Sequence, residues 1–165
     1  MMRSLGVILI ASQLLYVAIA GEVWSGSCVR VVDGDTLRVV RDGDEAACVV
    51  RVWGIDAVEK KQELGAEAQA YLEKYVLGKR VEVREKQKRD RYGRVVAQGR
   101  VGKRSVALTM LLGGYAWWYE KYAPNAEGLR KAQEKARKRR KGVWMRGDAV
   151  PPWIYRKKGK MKSAR

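Results

Sequence analysis

Short runs rich in β-branched residues, set apart by tight turns, dominate the early part of the chain. Residues 28–32 (Cys-Val-Arg-Val-Val) read as a strand, which Asp33-Gly34-Asp35 breaks. Residues 36–41 resume with Leu37, Val39 and Val40, and Asp42-Gly43 is a hairpin-turn signal. Residues 46–53 form a third run, so the opening is a three-stranded meander. Residues 54–63 are polar and charged and read as a loop. Residues 64–77 then place Leu64, Ala68, Tyr71, Leu72, Tyr75 and Val76 at helical spacing, with Gly78 as the cap.

Residues 80–85 alternate Val81 and Val83 with charged neighbours, as a half-exposed strand should, and residues 95–101 make a fifth strand. Ser105 can cap a short helix through Leu112, which Gly113-Gly114 ends. Residues 126–141 predict a last helix, and the basic tail 156–165 reads as disordered. Spacing alone leaves several α+β arrangements open. The element order suits an α+β, mainly β fold: a five-stranded OB-type barrel with three packed α-helices. No internal repeat is visible.

Residues 1–20 read as a signal peptide. Arg3 supplies the positive region, an apolar stretch follows, and Ala18-Ile19-Ala20 is an A-x-A cleavage pattern before Gly21. The rival reading is an uncleaved anchor, but the stretch is short for a full span and Ser12 and Gln13 interrupt it. The expectation is a secreted or periplasmic protein, cleaved after Ala20, with one domain over residues 21–155 and no membrane span once cleaved. A monomer is the default. Export permits a bond between Cys28 and Cys48, the only two cysteines. Two unpaired buried thiols are the equal alternative.

Charge bounds the partners. The 165 residues hold 35 Lys+Arg against 18 Asp+Glu, a net of +17. About +16 remains once the segment with Arg3 is removed. That balance points to a polyanion: nucleic acid, an anionic membrane surface or an acidic polysaccharide. The expected last helix is densely basic, from Arg130 and Lys131 to Lys141, and can track phosphates beside a cleft. Leu129, Ala132 and Ala136 form its inward stripe. Trp53, Trp117 and Trp118 read as core or barrel-face residues.

The chain has no His. Imidazole bases and Cys/His zinc sites are therefore excluded, and a hydrolase made from it must use carboxylates, Arg, Lys, Tyr or backbone groups. Three segments concentrate such groups: Asp33-Gly34-Asp35-Thr36, Arg51-Val52-Trp53-Gly54-Ile55-Asp56-Ala57-Val58-Glu59, and Asp90-Arg91-Tyr92-Gly93-Arg94. Each alone is an ordinary turn or solvated loop. Together they hold what phosphodiester cleavage without His needs. Asp35 and Asp56 can hold a hard divalent cation through oxygen. Glu59 can act as general base on a water. Arg51 and Arg94 can grip the phosphate with paired hydrogen bonds and stabilise its transition state.

In this order and spacing the three segments resemble the staphylococcal nuclease (thermonuclease) family, over residues 28–144. Gly65-Ala66-Glu67-Ala68, Gly114-Tyr115-Ala116-Trp117-Trp118-Tyr119, Tyr122-Ala123-Pro124-Asn125 and Pro151-Pro152-Trp153 are similar to secreted bacterial members. The resemblance implies Ca2+ held by Asp35, Asp56 and the Ala57 carbonyl. It implies Glu59 as general base and Arg51 and Arg94 as catalytic arginines. Arg91, Tyr92 and Tyr122 would contact substrate. The implied activity is hydrolysis of DNA and RNA, single-stranded or locally open, leaving 3′-phosphates.

The chain departs from that pattern in three places. Val58 stands where the family has Pro, which frees φ in the loop that aims Glu59. Ala107 replaces an Asn that satisfies backbone groups. Glu120 replaces a second nucleotide-site tyrosine, implying weaker base stacking. The rival functions are an exported OB-type module that binds nucleic acid without cutting it, and a basic protein for anionic surfaces. Retention of Asp35, Arg51, Asp56, Glu59 and Arg94 favours the enzyme.

Overall fold

The longest strand, β1 (Val23–Asp33), makes a barrel possible. Its buried residues are Trp24, Gly26 and Cys28, then Val31, so the alternation slips by one where the register breaks between Cys28 and Arg30. Such a bulge bends a strand and strengthens its twist. The far half of β1 then pairs with β2 (Thr36–Arg41), and its near half, Val23 to Ser27, pairs with β5 (Arg80–Gln87). This computed structural model describes residues 21–87 and 89–163; the expected signal segment, residues 1–20, lies outside them.

Around β1 the order is β3 (Ala47–Val52), β2, β1, β5 and β6 (Val95–Val101). A parallel pairing, Val50 with Val95 through Val52 with Ala97, joins β3 to β6 and closes five strands into a barrel. The inward residues are small and branched: Leu37, Val39, Val50, Val52, Val81, Val83 and Ala97 are all essentially inaccessible. The OB-type expectation is met. β4 (Ile55–Ala57) follows β3, then α1 (Gly65–Val76), which lays Ala68, Leu72 and Val76 on the core. Two-residue β7 (Arg104–Ser105) leads into α2 (Val106–Gly113). The Ser105 hydroxyl accepts from the Leu108 N–H at 3.3 Å, and Gly114, at φ 75°, ends the helix, as the sequence predicts.

Two local expectations are corrected, and one open alternative is decided. First, the segment read as a loop contains β4, which pairs antiparallel with β8 (Ala116–Trp118). Ile55, Asp56 and Ala57 are all buried, so their backbone groups need strand partners that water cannot replace. Second, the tail expected to be disordered from residue 156 is helical as far as Ser163. After α3 (Glu127–Lys138) comes a fourth helix, α4 (Pro152–Ser163). Pro152 suits a first helical position, and the Trp153 ring stacks on Tyr119 at 5.4 Å, so tertiary contact overrides a polar composition. Of the two alternatives left open for the cysteines, the structure has Cys28 and Cys48 both free. Each is the register partner of Val39 on β2, so two strand spacings, about 9.5 Å, separate them. That exceeds the ~7 Å limit for a bridge.

Trp117 is core, and Trp53 and Trp118 pack against it, as expected. Among the described residues no helix is long and apolar enough to cross a membrane. Alkylation of the denatured, unreduced protein is expected to modify both cysteines, read by intact mass. An unmodified pair would mean the two strands are not separated by β2.

Candidate active site

The Asp33-Gly34-Asp35 turn sits directly on β4. A Cβ on Gly34 would lie 2.7 Å from the Cβ of Ala57, so only glycine lets the turn approach so closely. The Asp35 N–H donates to Asp33 Oδ1 at 3.1 Å, which rigidifies the turn. The buried Asp35 carboxylate then accepts from the Ala57 N–H at 2.7 Å and from the Thr36 hydroxyl at 3.1 Å. One carboxylate thus fastens β4 to the barrel.

Arg51 emerges from β3 into the same place. Its Nη2 lies 3.1 Å from Asp35 Oδ2 and 3.2 Å from Asp56 Oδ1, while Nη1 donates to the Val52 carbonyl at 2.7 Å. The charged side chain within an apolar strand therefore faces two buried carboxylates and not solvent. Arg156 of α4 approaches from the other side, 2.7 Å from Asp56 Oδ2 and 2.5 Å from Glu59 Oε1. Burial pushes the Asp56 carboxyl above its ordinary range, although hydrogen bonds from Arg156 and the charge of Arg51 oppose it. Burial and the adjacent Asp35 charge push Asp33 up to about 6.

The third segment forms a bend that lines the same opening. Asp90 Oδ1 accepts from the N–H groups of Tyr92 and Arg94 at 2.9 and 3.0 Å. Asp90 Oδ2 accepts from Arg94 Nε at 2.8 Å. Burial would raise the Asp90 pKa, but these bonds to Arg94 and the backbone outweigh it and hold the carboxyl below its usual range. The guanidinium of Arg94 also lies over the Tyr92 ring, as does that of Arg91. Tyr92 and Tyr122 are both more than half exposed.

All nine expected site residues line one open cleft of 1150 Å³: Asp35, Arg51, Asp56, Ala57, Glu59, Arg91, Tyr92, Arg94 and Tyr122. Asp35, Arg51 and Asp56 are in direct contact, Glu59 joins them through Arg156, and Arg94 stands apart on Asp90. Sequence reasoning missed Asp33, Tyr119, Trp153 and Arg156. It also took Glu120 to replace a cleft tyrosine. Glu120 faces a neighbouring groove, and Tyr119, one residue earlier, presents its ring to the cleft beside Tyr122 at 4.9 Å. For Arg156 the available signal was Pro151-Pro152-Trp153, a stiff turn with an aromatic anchor that fixes whatever follows. The basic face of α3 is also partly neutralised, since Arg130 pairs with Glu127 and Glu134.

A family model described as "Staphylococcal nuclease homologue" matches residues 49–146. The chain belongs to the staphylococcal nuclease family. Its enzyme class is that of the family, phosphodiester hydrolysis. A protein of Escherichia coli described as an "Uncharacterized endonuclease" is 40% identical over 132 residues, 79% of this chain and 84% of its own length. A "Micrococcal nuclease" of Shigella flexneri is 31% identical, over 93% of this chain and 90% of its own. A "Thermonuclease" of Staphylococcus hyicus is 32% identical, over 70% and 73%.

The lowered Asp90 makes its brace on Arg94 pH-dependent. Its contribution is complete above about pH 4 and is lost as pH falls toward the depressed folded value. Asp90→Asn is expected to melt a few degrees lower (on the order of 2–8 °C) at neutral pH. The gap should close in acid. Melting curves of both proteins across pH check this; a gap that persists unchanged below about pH 3 contradicts it.

Proposed function

We propose that this protein is an exported, calcium-dependent nuclease that hydrolyses DNA and RNA and leaves 3′-phosphates. The observation that carries the reading is the cleft itself. Two buried aspartates, Arg51, Glu59 and Arg94, the last on a braced bend, all line it. In this reading Glu59 takes a proton from the attacking water, and the two guanidiniums hold the phosphate oxygens as charge builds on them. Tyr122 and Tyr92, with Arg91, contact the flanking nucleotide. The reading of Tyr119 as a further ring beside Tyr122 replaces the weaker stacking expected from Glu120.

The donor set suits a hard divalent cation. No three carboxylate or thiolate side chains converge among the described residues, so Asp35 and Asp56 would need carbonyl oxygen, such as that of Ala57, and water to complete the shell. Calcium accepts that mixture readily. When bound, such an ion supplies positive charge against the phosphate.

Cleavage of labelled single-stranded DNA and RNA, with calcium and then with chelator, tests the activity. Glu59→Gln is expected to lower kcat by roughly 10²–10⁴-fold. Tight binding without cleavage under any divalent ion would replace the enzyme with a nucleic-acid-binding module. Export rests on Arg3, the apolar stretch and Ala18-Ile19-Ala20. Intact mass of the chain recovered from periplasm or medium should correspond to a start at Gly21. Full-length chain retained with membranes would overturn it.

A further inference from the structure

The loop that carries Glu59 runs between β4 and α1 as Val58-Glu59-Lys60-Lys61-Gln62-Glu63, with no proline to stiffen it. The Val58 N–H donates to the Tyr115 carbonyl at 3.1 Å, the Gln62 N–H donates to the Glu59 carbonyl at 2.9 Å, the Glu59 N–H reaches Gln62 Oε1 at 3.3 Å, and a Cβ on Gly65 would fall 2.2 Å from the Glu59 carbonyl oxygen. Four further contacts come from the C-terminal part of the chain. Arg146 pairs with Glu63 at 2.8 Å. Gln62 Nε2 donates to the Val150 carbonyl at 2.6 Å. The Tyr155 hydroxyl donates to the Lys61 carbonyl at 2.7 Å. Arg156 Nη1 donates to Glu59 Oε1 at 2.5 Å.

The same guanidinium also forks onto Asp56, with Nη2 at 2.7 Å from Oδ2 and Nη1 at 3.2 Å from Oδ1. It therefore fixes one carboxylate relative to the other across the end of β4. The clamp has its own anchor. Trp153 lies parallel to Tyr119, with 2° between the rings, and the Tyr119 N–H bonds the Gly54 carbonyl at 2.9 Å. Residues 150–156 lie beyond the segment that the family model matches.

We propose that residues 150–156 form a clamp on the active-site loop, with Arg156 as the positioning residue for Glu59. The clamp supplies the rigidity that a loop proline would otherwise give. This rests on the reading of Glu59 as general base. Glu59 and Arg156 are each about one-third exposed or more, and half-solvated ion pairs add little to global stability. The effect falls on local geometry. A planar fork is needed to reach two carboxylates at once, which a lysine ammonium cannot reproduce.

Hydrogen exchange of the amides of residues 58–64 is measured for wild type, Arg156→Ala and Tyr155→Phe, beside kcat and KM. Both substitutions are expected to speed exchange in that loop and leave exchange in the barrel strands unchanged, and Tyr155→Phe, which leaves the buried Asp56 paired, should also leave the melting temperature unchanged. Loss of Arg156 should lower kcat on the order of tenfold with KM little altered. Arg156→Lys should recover only part of it. In a Glu59→Gln background Arg156→Ala should cost nothing further; a second loss of the same size would show that Arg156 does not act through Glu59. Unchanged exchange in residues 58–64 overturns the clamp. So does a kcat that rises when Arg156 is removed, which would make the guanidinium an obstruction. Full activity of Glu59→Gln would instead remove the general-base reading, leaving exchange alone to judge the clamp.

Discussion

The parallel pairing of β3 with β6 is the contact on which the molecule turns. Without it the sheet is an open ribbon with two unpaired edges. With it, Arg51 lies opposite Val96, and Arg94 immediately precedes the strand that β3 meets. Two arginines from segments far apart in sequence come to flank one opening because a single ladder brings their strands into register. The core follows from the same closure, since the small branched side chains of both strands point into an interior that only a closed barrel provides.

Once the barrel is closed, the cleft is a problem of buried charge. Asp35 and Asp56 are almost inaccessible, and carboxylates in such places must be hydrogen-bonded and paired. Asp35 meets the demand through the Thr36 hydroxyl, the Ala57 amide and Arg51; Asp56 meets it through Arg51 and Arg156. Each partner comes from a different element, so satisfying the charges also fixes β2, β3, β4 and α4 relative to one another. The chemistry and the architecture of the cleft are the same set of contacts.

Much of this could be read from the residues. β6 spans the residues the sequence predicts, α2 is capped by Ser105, and the buried stripe of α3 is Leu129, Ala132 and Ala136. Short patterns with local causes were legible. What escaped depends on partners distant in sequence. Ile55-Asp56-Ala57 is too short and polar to announce a strand, and becomes one only because β8 lies beside it. Tyr119 reaches the cleft through the irregular backbone after β8, which no periodicity encodes. The tail carries a solvated composition, yet Trp153 finds a ring to stack on. Equally, the two cysteines invited a bridge that the intervening strand forbids.

The connections of β1 and β3 bear on how the chain reaches this state. β1 must wait for β5, beyond α1, and β3 must wait for β6. Such long-range pairings place barrels among the slower folders, at ~milliseconds to seconds. In that interval β3, with its Cys48-Val49-Val50 run, is an apolar strand with one side unpaired, the kind of edge that recruits strands from other chains. The last rung of the ladder is therefore also what removes an edge on which another chain could pair.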